Sequence, residues 1–142
     1  MARQEILTVK TLGAGLYEFT DRAEAFVAAS QMDAGLLTVF VRHTSCSLLI
    51  QENADPDVRN DLDAFFQRLV PPADDASMDY LVHRLEGPDD MPAHIKAALT
   101  AVSLAVPVMA GRLALGTWQG IYLFEHRRRP HSRDVVLHIL GG

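Results

Sequence analysis

Two periods of apolar residues organise this chain. Near its start, Ile6 and Val9 with β-prone neighbours read as a strand, Gly13 to Gly15 as a turn, and Leu16 to Phe19 as the partner strand, an opening hairpin. Asp21 and Glu24 then stand at the spacing of a capping box. Ala25, Phe26, Ala29 and Met32 follow at helical spacing, so a first helix is expected to about Met32, with Gly35 beyond its end. Leu36 to Val41 and Cys46 to Ile50 are near-continuous apolar runs, read as buried strands flanking His43 in the polar break "RHTS".

Asp55 and Pro56 read as the cap and first residue of a second helix. Val58, Leu62, Phe65, Phe66 and Leu69 repeat along one face, and Pro71-Pro72 stops the helix. Ala73 to Tyr80 is a polar, acidic loop leading to His83 on a short extended piece. Asp90 and Pro92 repeat the acid-proline start, and Ile95, Ala98, Leu99 and Val102 are the expected buried face of a third helix. The pattern then turns strand-like: Leu104 to Met109, a tight turn at Ala110-Gly111, Arg112 to Leu115, Trp118 to Glu125, and Val135 to Leu140. These late strands follow one another without crossover helices, so their sheet is expected to be antiparallel and the fold class α+β.

Composition narrows the possibilities. The 142 residues are 49% hydrophobic, enough for one core and a single domain over residues 1–142. No apolar run nears the roughly 20 residues of a membrane helix. "MARQEILTVK" lacks a secretory h-region, so the expectation is a cytoplasmic protein with no membrane partner. Cys46 is the single cysteine, which rules out an intrachain disulfide and a thiolate zinc cluster. A net charge of −5 argues against nucleic acid as a partner. Arg127, Arg128, Arg129 and Arg133 form a local basic cluster, read as a solvated loop or, less commonly, an anion grip.

Candidate chemistry concentrates in "EGPDDMPAHIKA", Glu86 to Ala97. A helix start attracts anions, His94 and Lys96 lie in or near its first turn, and Glu86, Asp89 and Asp90 offer oxygen ligands to a hard cation such as Mg²⁺. A diphosphate with magnesium would suit that set; a helix cap beside a solvated acidic loop would also account for it. His43, His83 and His94 all fall at element boundaries, where neutral imidazoles could converge on Zn²⁺, although their spacing matches no short metal motif. His126, His131 and His138 carry no assigned role.

In "GTWQGIYLFEHR", Trp118 could stack on a planar ring whose edge Gln119 reads, or Trp118 could belong to the core or a subunit interface. Glu125 shares a strand face with Gln119, Ile121 and Leu123. It is either a functional carboxylate or half of an ion pair with Arg127 or Arg133. Ser45 beside His43 has no GxSxG-like elbow, which argues against a serine hydrolase, and Cys46 alternates with Leu48 and Ile50 as a small core residue.

Together, "HTSCSLLIQENADPDVRNDL", "EGPDDMPAHIKA", "PVMAGRLALGTWQGIYLFEHR" and Arg133 resemble the YjbQ-like family, also called the secondary thiamine-phosphate synthase enzyme family, over about Leu36 to Leu140. The resemblance implies one α+β domain, a sandwich of largely antiparallel or mixed sheets with about three helices, assembled as a homotrimer with sites near subunit boundaries. It also implies a weak transferase activity joining hydroxymethylpyrimidine diphosphate to a thiazole phosphate with release of diphosphate, and no organic cofactor. The family pattern carries onto His43, Thr44, Ser45, Asn53, Asp55, Asp61, His83, Glu86, Asp89, Asp90, His94, Lys96, Thr117, Trp118, Gln119, Glu125 and Arg133.

On that scheme His43, His83, His94, Lys96 and Glu125 are the candidate catalytic residues. Ser45, Asn53, Asp61, Trp118, Gln119 and Arg133 would bind a small phosphorylated or heteroaromatic substrate. The metal would be Mg²⁺ on Glu86, Asp89 and Asp90, or Zn²⁺ on His43, His83 and His94. Cys46 and Asp134 depart from the family's Ala and basic residue. Two other readings compete with the transferase: a zinc-dependent hydrolase and a noncatalytic small-ligand module.

Overall fold

Strand pairing in the computed structural model, which describes residues 1–142, divides eight strands between two antiparallel sheets. In chain order the elements are β1 (Ala2–Thr11), β2 (Gly15–Glu18), α1 (Thr20–Ser30), β3 (Gly35–Val41), β4 (Cys46–Glu52), α2 (Pro56–Leu69), α3 (Asp90–Leu99), β5 (Ser103–Met109), β6 (Arg112–Leu113), β7 (Gln119–Glu125) and β8 (His131–Gly141). One sheet has the order β1-β8-β3-β5-β6 and the other β2-β7-β4. Their facing sides interdigitate through Val39, Val41, Val135 and Leu137 from the first sheet and Cys46, Leu48, Ile121 and Leu123 from the second. Phe26 and Val27 of α1 join the same core. No helix is long and apolar enough to cross a membrane.

The three-stranded sheet is covered on its outer side as well. Phe66 of α2 meets Phe124 edge to face at 5.3 Å, and Arg59 lies over the Tyr122 ring at 6.0 Å. Phe124 in turn packs on His126 at 4.4 Å. Because β7 is buried on both faces, its sequence reads as a continuous apolar run rather than an alternating one.

Several sequence expectations need correction. The opening hairpin does not form: β1 pairs with β8 and β2 pairs with β7, in different sheets. Gly13 and Gly15 carry the chain across between sheets, with φ of 149° and 146°, and a Cβ on Gly13 would sit 2.9 Å from the Arg128 carbonyl oxygen. The Tyr17 hydroxyl, donating to Gly13 O at 2.8 Å, holds that crossing. The capping box at Asp21 is also absent. α1 starts two residues earlier, at Thr20, and the Thr20 hydroxyl donates to Glu18 while accepting from the Ile121 N–H.

α3 does not bury the face expected of it. Asp90, Pro92, Ala93, Lys96 and Ala97 are turned inward, while Ala98, Leu99 and Val102 face solvent. The extended piece expected around His83 forms no strand. By contrast, Asp55 caps α2 by accepting from the Asp57 N–H at 2.9 Å, and α2 ends before Pro71-Pro72. Ala110 and Gly111, at φ 50° and 75°, make the tight turn between β5 and β6.

Candidate metal centre

Asp90 is the first residue of α3 and is 2% exposed, yet it caps nothing; its two oxygens face two different sets of partners. Oδ1 accepts from Arg127 Nη1 at 2.7 Å. Oδ2 lies 2.9 Å from His83 Nε2 and 3.2 Å from His94 Nε2. Glu86 Oε2 is 3.8 Å from His83 Nε2. One ligand atom from each of His83, Glu86, Asp90 and His94 therefore lies within 4.8 Å of all the others. The α-helical repeat brings Asp90 and His94 to one side of α3, and the preceding loop brings His83 and Glu86 across to meet them.

The orientation of His94 is fixed from behind. Its Nδ1 lies 2.7 Å from the carbonyl oxygen of Thr44, an acceptor, so Nδ1 carries a proton and Nε2 is the nitrogen available to a metal. A backbone carbonyl behind the distal nitrogen is the usual support of a metal-ligating histidine. Tetrahedral zinc with bonds of about 2.0–2.2 Å sets its ligand atoms roughly 3.4 Å apart; His83–Asp90, His94–Asp90 and His83–Glu86, at 2.9, 3.2 and 3.8 Å, lie around that spacing, and the remaining pairs are within 4.8 Å. Two imidazoles with carboxylates suit a borderline cation such as Zn²⁺ better than Mg²⁺.

Burial pushes the Asp90 carboxyl upward, but hydrogen bonding with Glu86 and His83 and the charges of His94 and Arg127 outweigh it and hold Asp90 below the ordinary carboxylate range. Asp89 does not join the ligand cluster. Its Oδ2 accepts from Arg127 Nε at 3.0 Å and from the Arg128 N–H at 2.9 Å, so the set Glu86, Asp89 and Asp90 does not converge. Arg127, read as a loop residue or a partner of Glu125, instead clamps both aspartates and donates to the Glu86 carbonyl oxygen. Nothing in the local sequence announces this, because 37 residues separate Arg127 from Asp90.

His43 lies outside the cluster: its Nε2 accepts from the Asp134 N–H at 2.8 Å, tying the β3–β4 loop to β8. The expected meeting of three histidines is thus a meeting of two, whose ring centroids are 5.7 Å apart. Burial, and then the charge of Arg133, lower the pKa of His43. Glu125 finds Arg133, one of its two expected partners. Arg133 Nε donates to Glu125 Oε1 at 2.8 Å, the Thr11 hydroxyl donates to the same oxygen at 2.7 Å, and Arg133 Nη2 donates to Ser45 Oγ at 2.9 Å. These groups are sealed between the sheets. Beside them, burial pushes the Cys46 thiol up to about 12.

The remaining candidates lie elsewhere. Trp118 is 62% exposed. Gln119, Asn53 and Thr117 line a separate groove of about 570 Å³ with Glu18, where Asn53 Nδ2 donates to Glu18 Oε2 at 3.1 Å. Asp61 lies on the exposed side of α2. Lys96 sits two residues beyond His94 and so about 200° around the helix axis, away from the metal cluster.

Fold and site together define a two-sheet α+β sandwich with a histidine–carboxylate cluster at a helix start. The chain belongs to the UPF0047 protein YjbQ-like family, whose model matches residues 5–142. It is 54% identical to the UPF0047 protein sll1880 of Synechocystis, over 97% of this chain and 91% of that one. Among solved structures it is similar to the hypothetical protein APE1520 from Aeropyrum pernix, at TM-score 0.87 and 29% identity over 99% of both chains. It is also similar to an uncharacterized conserved protein of the yjbq/upf0047 family from Clostridium acetobutylicum, at TM-score 0.85 and 33% identity over 96% of this chain and 99% of that one. Kinship thus gives family and fold.

Proposed function

We propose that this chain is a metal-dependent hydrolase of phosphate or carboxylic esters, with Zn²⁺ held by His83, Asp90 and His94. The carrying observation is the pair of Nε2 atoms converging on Asp90 Oδ2, with His94 fixed from behind by Thr44. Three protein ligands leave one position open, the pattern of catalytic rather than structural zinc. When bound, Zn²⁺ supplies a water acidified to a pKa of about 7 and a Lewis acid for the ester or phosphoryl oxygen. Glu86, solvent-exposed beside His83, accepts the proton from the attacking water. Arg127 positions Asp90 by occupying Oδ1, which leaves Oδ2 for the metal.

The test is elemental analysis of the purified, tag-free chain by mass spectrometry. Near-stoichiometric zinc is expected, lost in both His83→Ala and His94→Ala; an unchanged chain free of transition metal overturns the proposal.

The transferase activity implied by the resemblance makes a different demand. It needs a diphosphate at the metal and a ring on Trp118 and Gln119, but β7 runs from Gln119 to Glu125 between those places, about 20 Å at ~3.3 Å per residue. Such a reaction would need a second subunit to bring the two parts together. A homotrimer, proposed on the same resemblance, would supply one.

A further inference from the structure

His126 follows directly on β7 and is almost wholly buried, with Nε2 placed 2.9 Å from Ser47 Oγ. Its Nδ1 is the one fully buried side-chain polar atom with no hydrogen-bond partner. His126 borders a cavity of about 50 Å³ between the end of α2, α3 and the segment after β7, shared with Lys96, Arg128 and Asp89. Lys96 is only 8% exposed, and no carboxylate or other acceptor lies within bonding distance of its Nζ. The two acids that act on it through charge are engaged elsewhere: Asp63 accepts from Gln67, and Asp89 accepts from Arg127 and from the Arg128 backbone. The Arg128 side chain makes no ion pair. An imidazole nitrogen buried without a partner is costly and an ammonium without a counter-ion is unfavourable, and the two residues line the same space.

We infer that this cavity binds a small oxyanion of phosphate size, held by the Lys96 ammonium, the His126 Nδ1–H and the Arg128 guanidinium. Its size fits: about 10–15 Å³ of such space holds one water, so 50 Å³ corresponds to roughly four oxygen positions, as in a tetrahedral oxyanion. The hydrogen bonding fits as well. In the tautomer whose Nε2 accepts from the Ser47 hydroxyl, His126 carries its proton on Nδ1 and is a donor there, which gives the anion three positive or donor groups. Asp89, the one carboxylate in the lining, is neutralised by Arg127. The site lies on the far side of α3 from His94, so the inference does not rest on the metal reading.

Isothermal titration of the full chain with inorganic phosphate tests it. Saturable binding of one phosphate per chain is expected. Lys96→Met should weaken it about tenfold or more, the loss of one buried charge-assisted contact. Arg128→Gln, at a solvent-exposed side chain where misfolding is not a concern, should weaken it about threefold. Lys10→Met, at an exposed lysine outside both sites, should leave it unchanged. No saturable heat at millimolar phosphate would mean that the cavity holds water only, and would overturn the inference. So would undiminished binding in both cavity variants, or an equal loss in Lys10→Met. A parallel titration with phenyl phosphate distinguishes the source of the anion: tighter binding of the ester marks a substrate's phosphate, and tighter binding of phosphate marks the free anion.

Discussion

His126 ends an apolar run and yet titrates, so its burial is written into how stability depends on pH. Burial, and then the charge of Lys96, push its pKa down to about 3. In the folded chain it stays neutral while the unfolded chain takes up a proton below about pH 6.5, so folding loses stability as pH falls from about 6.5 toward 3. His43, also lowered by burial, acts in the same direction. Glu125, Asp89 and Asp90 are all held low, so their contributions are present above the ordinary carboxylate range and fade only at more acidic pH, as it falls through their folded values. Urea unfolding between pH 6.5 and 5 in phosphate-free buffer therefore isolates the histidines. His126 should account for a loss of roughly 1.5 kcal/mol across that interval, and His126→Gln should flatten the curve by that amount. Equal slopes for both proteins would mean that His126 is already protonated in the fold.

At the scale of elements, what the sequence disclosed was local chemistry. The Asp55-Pro56 start and Pro71-Pro72 stop of α2 depend on neighbours a few residues apart, and so does the Ala110-Gly111 turn. The cap should matter measurably: Asp55→Ala removes the acceptor for the Asp57 N–H and should cost about 1 kcal/mol in urea unfolding, whereas Asp57→Ala, at a residue whose side chain caps nothing, should cost less. What the sequence hid was pairing at long range. β1 meets β8 near the other end of the chain, which no turn signal at Gly13 to Gly15 could reveal. The inward side of α3 was hidden too, because two charged residues share it with the small Pro92, Ala93 and Ala97: Asp90 turns inward to meet Arg127, and Lys96 to border the His126 cavity. For the candidate site, the Glu86-to-Lys96 segment could be read from its acids and histidines. Which residues converge could not, since His43 is claimed by the Asp134 N–H and Asp89 by Arg127.

The whole molecule leaves two apolar surfaces open to water. On the outward face of the larger sheet, Ile6, Val136 and Phe40 are adjacent in register across β1, β8 and β3, and Leu140 lies beside Leu36. Ile6, Phe40, Leu36 and Leu140 are all exposed. α2 buries none of its residues fully, and Phe65 and Leu69 project from it, 58% and 54% exposed. Contiguous apolar surface of this kind marks an interface more often than a free surface, and closed symmetry is the common way to cover it. The homotrimer proposed from the family resemblance is therefore expected in solution, and multi-angle light scattering should give a mass about three times the 15.7 kDa of one chain. The same measurement bears on chemistry. Within one chain, Trp118 and the His83–His94 pair lie at opposite ends of β7, so a monomeric mass would exclude the transferase geometry while leaving the metal-dependent hydrolase, whose ligands all come from one chain, to be judged by its zinc.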